Sequence, residues 1–362
     1  MKFQTALVAV AGLARAYHHN MNDIEALLSK GKYNNEPSTA LLGDLKRLKD
    51  NQLTFAGKYI KALLQNSDHV PGRSEPSYPL PLPARDTKAC KKHTCCIWRH
   101  IYFDMAKEMK DAKGDCNDLA RAAVRLGFHD AGTWSSKTGD GGGADGSIVL
   151  AGECESRAEN KGLEDSCKKL REWFKKYKKY HVGMADLIQF AHNVASAVCL
   201  SGPGSPTFVG RKDRHHPSPK GNLPSPDQSA DELLALFAAK TISPRGLVSL
   251  LGAHSVGKQR FVDTKQANAS FDTTPEIWDT NFYDEVLKDQ PSNGVFRLKS
   301  DGVLARDARS QTAWKSFMGF MGTFPWGTEY NREYARLSLL GVKNINHLTV
   351  CNSTILDPDP AK

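Results

Sequence analysis

Residues 119–132 read LARAAVRLGFHDAG and residues 247–258 read LVSLLGAHSVGK, so two apolar helical patterns each carry one histidine. In the first stretch, Arg125 and His129 lie four residues apart, and a helix places both on one face, one turn above the other. A guanidinium beside a neutral imidazole suits the removal of a proton from a bound oxygen species and the stabilisation of the developing negative charge. The pair alone is a weak indication, because most pairs with this spacing are surface residues.

His254, in the second stretch, has two interpretations. A single histidine on an apolar helix is more often a core residue with a satisfied hydrogen bond. Imidazole is also a common axial ligand of haem iron, and a ligating histidine usually donates its other ring N–H to an acceptor such as a carboxylate. Asp301 is the candidate acceptor.

The chain after residue 88 is predicted to be mostly α-helical. Apolar residues recur there at three- and four-residue spacing, strand alternation is scarce and no internal repeat is visible. The predicted helices are Ile97–Ala112, Asp118–Asp130, Ser166–Tyr180, Met184–Val198, Asp231–Ala239, Ser243–Leu251, Thr280–Lys288, Val303–Ala308 and Gln311–Met321.

The net charge of +9 does not by itself indicate a nucleic-acid partner. Its densest run, Lys168–Lys179, interleaves basic and aromatic residues, which favours an amphipathic helix with a solvated basic face. A nuclease would need a basic patch joined to a solvent-open metal site, and the sequence does not indicate one. We therefore expect neither a nucleic-acid partner nor, since no stretch is long enough to span a bilayer, a membrane partner.

The start of the chain predicts export. It combines a charged residue, a short apolar run and an A-x-A cleavage site, so we predict a signal peptide at residues 1–16. Residues 17–88 are predicted to form an N-terminal extension that ends in a Pro-rich, extended linker, Ser67–Asp86. The extension is either a pro-segment or a solvated appendage, and residues 89–362 form the functional domain.

The eight cysteines all follow this linker, and their even number in an exported chain indicates four disulfides. Sequence alone leaves 105 possible pairings. A zinc site is the alternative, but the chain has no C-x-x-C pair and no clustered histidine partners. Asn268 and Asn352 begin glycosylation sequons, which are consistent with export.

Six stretches occur in an order that resembles the secreted fungal haem peroxidases, class II of the plant-type peroxidase superfamily. They are RLGFHDAG, GGGADGS, FVGRKD, LLGAHSVG, FDTTPEIWD and RLKSDGVLARD, and the resemblance covers residues 89–355. It implies a mostly α fold in which two helical lobes sandwich haem b, with little β structure. The extension has no counterpart in the family pattern.

The resemblance also implies a role for each matching residue. Arg125 and His129 correspond to the catalytic pair above the haem, and Asn160 to the asparagine that fixes the tautomer of the histidine. Phe128 corresponds to the aromatic residue beside that pair. Below the haem, His254 corresponds to the iron ligand, Asp301 to its hydrogen-bonding carboxylate and Phe271 to the neighbouring aromatic residue.

Two groups of oxygen-bearing residues flank the two histidines, and calcium takes six to eight oxygen ligands. A phosphate cradle in GGGADGS lacks the lysine and the strand of a P-loop, and ordinary turns would explain either group alone but not their placement. The resemblance implies two Ca2+ sites, the first at Asp130, Gly143, Asp145 and Ser147 and the second at Ser255, Asp272, Thr274, Ile277 and Asp279.

For the cysteines, the resemblance implies the pairs Cys116–Cys199, Cys90–Cys96 and Cys95–Cys351. Cys154 and Cys167 remain and would close a local loop. The family's usual bridge near the C-terminus has no cysteines here.

Three departures from the family pattern limit the function. The positions of the three manganese-binding carboxylates are Asp118, Ala122 and Arg260, so a manganese site is not expected. The position of the surface tryptophan of lignin-type members is Ser249. The position of the glutamate that holds the distal asparagine is Cys154, which Glu153 and Glu155 flank.

We therefore predict a secreted, monomeric, low-redox haem peroxidase. It would use hydrogen peroxide to oxidise small phenolic or aromatic donors through an oxo-ferryl form of the haem. Trp314 and Trp326 are candidates for an exposed remote oxidation site. The alternative is a secreted, non-catalytic calcium- and haem-binding module that attaches to an anionic wall or polymer.

Overall fold

The computed structural model describes residues 36–67 and 81–356, and within these ranges nearly all regular structure is helical. The predicted signal peptide and residues 68–80 of the Pro-rich stretch lie outside the described residues. The helices are α1 (Phe55–Leu64), α2 (Lys88–Lys91), α3 (Thr94–Glu108), α4 (Asp118–Ala131), α5 (Ser147–Leu150), α6 (Glu153–Ser156), α7 (Glu164–Tyr177), α8 (Met184–Val198), α9 (Ala230–Ala238), α10 (Pro244–Leu251), α11 (Asn281–Leu287), α12 (Lys299–Arg306), α13 (Gln311–Ser316), α14 (Gly319–Leu337) and α15 (Ser353–Leu356).

Short 3-10 turns and one small sheet complete the regular structure. In the sheet, β1 (Phe208–Val209) pairs antiparallel with β2 (Thr349–Val350), and Phe208 lies opposite Val350. The 3-10 turns are Gly43–Lys46, Asp50–Gln52, Ala158–Asn160, Lys178–Tyr180, Gly252–Val256, Thr264–Gln266 and Ile345–His347. The mostly α fold predicted from the sequence is confirmed.

Helix α4, which carries Arg125 and His129, packs along the buried helix α8. It begins where the Asn117 side chain accepts hydrogen bonds from the backbone N–H groups of residues 119 and 120, a standard N-terminal cap. Gly127 permits the close contact, because a Cβ there would lie 2.4 Å from the hydroxyl of Tyr334 and 2.7 Å from Cβ of His192. The face of α4 opposite Arg125 is thereby fixed against the core.

Helix α10 brings the second histidine into position. Ser243 caps its first turn and Pro244 occupies its first position, where the missing N–H costs nothing. After Leu251 the backbone tightens into the 3-10 turn that contains His254. Gly252 lies against the indole of Trp326, which leaves no room for a side chain there.

Helix α14 is the largest difference from the sequence-based prediction. The predicted helix 311–321 breaks at residues 317–318, and a new helix then runs to Leu337 with Pro325 inside it. Glycines and this proline weaken the local helical signal. The helix forms because its aromatic face, with Trp326, Tyr330 and Tyr334, is buried in the core.

The candidates for an exposed oxidation site are wrong. Trp314 is 0% and Trp326 1% exposed, and each indole N–H donates a hydrogen bond to a buried backbone carbonyl. Both tryptophans are therefore core residues.

The N-terminal extension is not a solvated appendage in its described part. Leu42, Leu45, Ile60 and Leu64 are buried in the same core as the rest of the chain. The buried guanidinium of Arg336 donates hydrogen bonds to three carbonyls of the extension, those of residues 38, 40 and 64. Periodicity alone did not indicate this packing, because the apolar surface that the leucines cover comes from the far end of the chain.

The four predicted disulfides are confirmed as Cys90–Cys96, Cys95–Cys351, Cys116–Cys199 and Cys154–Cys167. The basic run also forms the expected amphipathic helix, since Leu170, Trp173 and Tyr177 are buried while most of its lysines are exposed. Of the two sequons, Asn268 is exposed, whereas Asn352 is buried and its side chain bonds to Tyr59 and to the backbone N–H of Thr207.

Among the described residues, no helix combines the length and the apolar character that crossing a membrane requires.

Candidate active site

Arg125, His129 and Asn160 form one hydrogen-bonded group. The Nε–H of Arg125 points at Nε2 of His129 at 3.2 Å, and Nδ1 of His129 lies 2.9 Å from the amide oxygen of Asn160. An amide oxygen only accepts, so Nδ1 carries the proton and Nε2 is left with its lone pair. The imidazole is therefore held as a free base with Nε2 toward the guanidinium.

Asn160 is supported by the backbone and not by a glutamate side chain. Its amide nitrogen donates to the carbonyl oxygen of Glu153 at 3.0 Å. The Glu153 carboxylate points elsewhere, to Ser218 and to an ion pair with Arg157 at 2.7 Å. Asn160 therefore keeps a hydrogen-bond acceptor although residue 154 is a cysteine. The hydrogen bond between Asn160 and His129 is also kept.

Burial and the positive charge of Arg125 together lower the pKa of His129 to about 3. Protein surrounds most of the Arg125 guanidinium, and yet this side chain is accessible to solvent. Its other nitrogens donate to the carbonyls of Lys161 at 2.8 Å and Glu159 at 2.9 Å. Phe128, stacked on Phe237, forms part of the surrounding apolar structure.

At the second site, His254 is likewise fixed by a hydrogen bond at its Nδ1. Nδ1 of His254 lies 3.2 Å from the buried Asp301 carboxylate, and the imidazole remains 32% exposed. The rings of Phe271 and Phe282 lie 5.1 and 5.4 Å from it. The carboxylate fixes Nδ1 as the protonated nitrogen, so Nε2 is free to act as a metal ligand.

The first predicted calcium group surrounds the end of α4. The Asp130 carboxylate is fully buried and accepts from the backbone N–H groups of residues 146 and 148, and Asp145 accepts from that of Ser147. Burial raises the pKa of both carboxyl groups. Gly143 cannot carry a side chain, because its Cβ would lie 2.2 Å from the carbonyl oxygen of Leu340.

The second predicted group lies beside the turn that holds His254. Asp272 and Ser255 are both fully buried, and one carboxylate oxygen of Asp272 and the hydroxyl of Ser255 have no hydrogen-bond partner among the described residues. Burial raises the pKa of Asp272 to about 8. Thr274 donates to the Asp279 carboxylate at 2.8 Å, and the backbone N–H of Ile277 donates to the carbonyl of Thr274. Buried oxygens without partners are the donor set that a hard cation needs.

The positions that correspond to the family's three manganese-binding carboxylates hold only one acidic residue here. Arg260 forms an exposed ion pair with Asp118 at 2.5 Å, although 142 residues separate them in sequence. Ala122 contributes no charge. The position of the surface tryptophan, Ser249, is completely buried and lies under the indole of Trp326.

Sequence reasoning missed several residues around the two histidines. Ser218 connects the first calcium group to the distal site, because its hydroxyl lies 2.7 Å from that of Ser147 and donates to Glu153. Asn281 donates to Thr274 and Asp279 in the second group. Only the Asn281 contacts are near in sequence; the contacts of Ser218 span more than sixty residues, so no local pattern indicated them.

One histidine hydrogen-bonded to a carboxylate and a second paired with an arginine are the two arrangements that the resemblance to haem peroxidases implied. The family model described as "Peroxidase" matches residues 104–319, more than half of the chain. The chain belongs to this peroxidase family, and it is a haem peroxidase that uses hydrogen peroxide to oxidise reducing substrates.

Its curated relatives include fungal enzymes of several kinds. The chain is 31% identical over 277 residues to "Manganese peroxidase 3" of Phlebia radiata, covering 70% of this chain and 75% of the relative. It is 31% identical over 282 residues to "Peroxidase" of Arthromyces ramosus, covering 72% and 76%. It is 32% identical over 291 residues to "Ligninase C" of Trametes versicolor, covering 74% and 76%.

Proposed function

We propose that this enzyme is a secreted, monomeric peroxidase of low redox potential that contains haem b and two Ca2+ ions and oxidises small phenolic and aromatic donors. The observation that carries the proposal is the pair of histidine sites. One imidazole is a free base beside Arg125, and the other is hydrogen-bonded to Asp301 and remains partly exposed. Arg260 and Ser249 at the family's manganese and tryptophan positions support donors of the general phenolic type.

The residues fit a haem on chemical grounds. His254 would hold the iron through Nε2, because Asp301 accepts the proton on Nδ1 and makes the imidazole a stronger ligand. Phe128 and Phe271 would contact the porphyrin as apolar neighbours. When bound, the haem iron supplies the two-electron reduction of peroxide and the one-electron oxidation of the donors.

The distal residues transfer a proton and stabilise negative charge on the peroxide. Nε2 of His129 accepts the proton from one peroxide oxygen and returns it to the other, which leaves as water. Arg125 stabilises the negative charge on the departing oxygen. Asn160 holds the imidazole in the tautomer that makes Nε2 basic. Two donor molecules each give up one electron and one proton, so one peroxide and two donors yield two waters and two donor radicals.

Two calcium ions fit the two oxygen clusters. The first would bind Asp130, Asp145, Ser147 and the carbonyl of Gly143, and the second would bind Ser255, Asp272, Thr274, Asp279 and the carbonyl of Ile277. Buried carboxylates and an unpartnered hydroxyl support this assignment, since burying such groups without a cation is costly.

The four disulfides support a secreted protein, because disulfides persist in oxidising compartments. We assign residues 1–16 to a signal peptide, 17–88 to the extension and 89–362 to the catalytic domain. The partners are hydrogen peroxide and small donors, with neither nucleic acid nor membrane.

The decisive experiment removes His129. In the haem-loaded enzyme, His129→Ala should slow the reaction with hydrogen peroxide, measured by stopped-flow absorption, by more than the ~10²–10⁴ typical of general acid–base catalysis, since one group acts as both base and acid. The substitution His216→Ala, which removes an exposed histidine, is the control and should leave the rate unchanged. A His129→Ala enzyme that reacts with peroxide at nearly the parent rate would show that the proposed base is wrong.

A further inference from the structure

A surface depression of about 550 Å³ has no part in the mechanism above. It is lined by Asp118, Lys258, Arg260, Phe261, Ala267 and Asn268. Two cationic side chains lie there beside a large aromatic ring, and Phe261 and Val262 are 45% and 49% exposed. Adjacent exposed apolar side chains next to cations are typical of a binding surface for an amphipathic molecule.

One side of the depression adjoins the support of the distal arginine. The Phe261 ring lies so close to Gly162 that a Cβ there would be 2.5 Å from it, and the Lys161 ammonium lies 4.7 Å from the ring centroid. The carbonyl of Lys161 accepts from Arg125 at 2.8 Å. The Phe261 ring thus contacts a residue that accepts a hydrogen bond from the distal arginine.

The other side adjoins the proximal histidine. Lys258 follows His254 by four residues, and Gly257 between them lies against the Phe271 ring, where a Cβ would be 2.7 Å away. Phe271 in turn packs on His254. The depression is therefore connected to both histidine sites through residues in direct contact.

The loop that forms the depression is held in one conformation by Gln259. This side chain is 3% exposed, accepts from the backbone N–H of Asp263 and donates to its carbonyl at 2.9 Å. Its backbone also exchanges hydrogen bonds with residues 268 and 269. Arg260, Phe261 and Asn268 are consequently presented by an ordered loop, which lowers the entropy cost of binding.

The charges favour an anion over a cation. Arg260 is 44% exposed and bonds only through one nitrogen to the exposed Asp118, and exposed ion pairs of this kind are weak. Lys258 lies 3.8 Å from Glu276, too far for a hydrogen bond. Both cations are thus held in partly exposed ion pairs that a ligand carboxylate can displace, and guanidinium groups donate two parallel hydrogen bonds to a carboxylate.

We propose that this depression binds aromatic donors that carry a carboxylate, with the ring on Phe261 and the carboxylate on Arg260 and Lys258. The inference rests on the proposed function, because it names the class of donor that the enzyme prefers. The Asp118 carboxylate competes with the carboxylate of the donor for the Arg260 guanidinium. Each phenolic acid loses one electron and its phenolic proton, two molecules per peroxide, so no further reactant is needed.

The test compares ferulate with its neutral methyl ester, two donors with the same phenol ring. The measured quantity is the ratio of their kcat/KM values. Arg260→Gln should lower this ratio about fivefold, the effect of losing an exposed ion pair. Asp118→Asn should raise it about two- to fivefold, because it frees Arg260. Substitutions of two contacting residues that change the kcat/KM ratio in opposite directions are not expected from a general disturbance of the surface.

Matched controls come from another exposed arginine–carboxylate pair. Arg171 pairs with Glu155 at 2.7 Å, with similar exposure of both side chains. Arg171→Gln and Glu155→Gln change the net charge equally and should leave the ratio unchanged. The series is repeated in an Asn268→Gln background, because Asn268 lines the depression and a glycan on it would cover part of the site.

A binding measurement separates recognition from turnover. 4-Methoxycinnamate has the carboxylate but no oxidisable phenol, and calorimetric titration of the intact enzyme should give a Kd that rises in Arg260→Gln and with added salt. If the ratio and this Kd are insensitive to both substitutions, the donor site is wrong while the peroxidase function stands. If the parent enzyme oxidises neither ferulate nor its ester, the proposed function fails instead.

Discussion

His129 and His192 lie on the neighbouring helices α4 and α8, and their contacts fit them for different tasks. His129 is hydrogen-bonded to Arg125 and Asn160. His192 is 1% exposed, bonds to the carbonyl of Val124 and the hydroxyl of Tyr330, and stacks on Tyr334 with ring centroids 3.4 Å apart. The first is poised for proton transfer and the second belongs to the core.

Asn160 controls the first histidine through one hydrogen bond. Asn160→Ala leaves Nδ1 of His129 without its acceptor, so the imidazole can adopt the other tautomer. We expect the rate of reaction with peroxide to fall about ten- to a hundredfold, as for a lost buried hydrogen bond, and its pH profile to change shape. Asn344→Ala, which removes a similar amide-to-carbonyl bond at 2.9 Å far from the histidines, should change neither.

His192 makes the stability of the fold depend on pH. Burial lowers its pKa from 6.5 to about 3, so between these values the unfolded chain binds a proton that the folded chain does not. Its contribution to the free energy of unfolding therefore decreases as the pH falls from 6.5 toward 3, by about 1.4 kcal/mol per pH unit. His192→Gln should remove this contribution.

The measurement is denaturant unfolding of both proteins at pH 6.5, 5.5 and 4.5. The parent should lose about 1.4 kcal/mol per pH unit relative to His192→Gln. Parallel losses in the two proteins would show that His192 is not the group responsible.

At the scale of elements, each histidine lies at the end of a helix, next to one of the two predicted calcium groups. The last turn of α4 contains Asp130 and is followed by the segment that includes loop 140–146, and α10 leads into the turn with Ser255. Ser147, Ser218 and Glu153 continue the connection from the first calcium group to Asn160. Loss of a cation at this group should therefore affect the distal histidine as well as the local loop.

If the second group binds Ca2+ as proposed, the relative stability of the parent and Asp272→Asn should reverse when calcium is removed. In the presence of Ca2+, Asp272→Asn should have a lower thermal midpoint than the parent, because it loses a charged ligand. After chelation with EDTA it should be at least as stable as the parent, because the buried carboxylate no longer has a cation to compensate it. Calorimetry in both conditions provides the comparison.

Asp231→Asn is the control, since its side chain is 82% exposed and lies outside both groups. It should respond to EDTA as the parent does. If Asp272→Asn is less stable than the parent in both conditions by the same amount, Asp272 stabilises the fold without calcium.

At the scale of the whole molecule, the extension and the domain share one core. Thr54 bonds to Asn346 through its backbone N–H at 2.9 Å, and Gly57 lies so close to the Asn346 amide that no side chain fits. With the contacts of Arg336, these bonds join the first described segment to the last third of the chain. Residues 38–64 therefore belong to the folded unit.

We expect both parts to unfold together. Ile60→Ala removes a side chain that is 0% exposed, and it should reduce the free energy of unfolding by about 2–5 kcal/mol, the range for large-to-small core substitutions. Absorption of the haem and fluorescence of the tryptophans should report one common transition. The exposed Lys58→Ala on the same helix is the control, and a separate early transition in Ile60→Ala would show that the extension folds independently.

The sequence by itself determined the helices and the two histidines, because both depend on local spacing. Arg125 and His129 share a face since a helix turns once in 3.6 residues. The resemblance to the fungal haem peroxidases implied the roles of Asn160 and Asp301 and the disulfide pairs. The structure shows these side chains in contact. The helix boundaries agreed within a few residues wherever no glycine or proline interrupted the pattern.

Only the tertiary structure decided what distant segments do to one another. Helix α14 forms through Pro325 because its aromatic face is buried, the Glu153 carbonyl supports Asn160 although residue 154 is a cysteine, and Asp118 meets Arg260 across 142 residues. A carbonyl is common to every residue type, so sequence cannot indicate which one lies within reach. Such contacts depend on where the backbone lies in space, and periodicity carries no information about that.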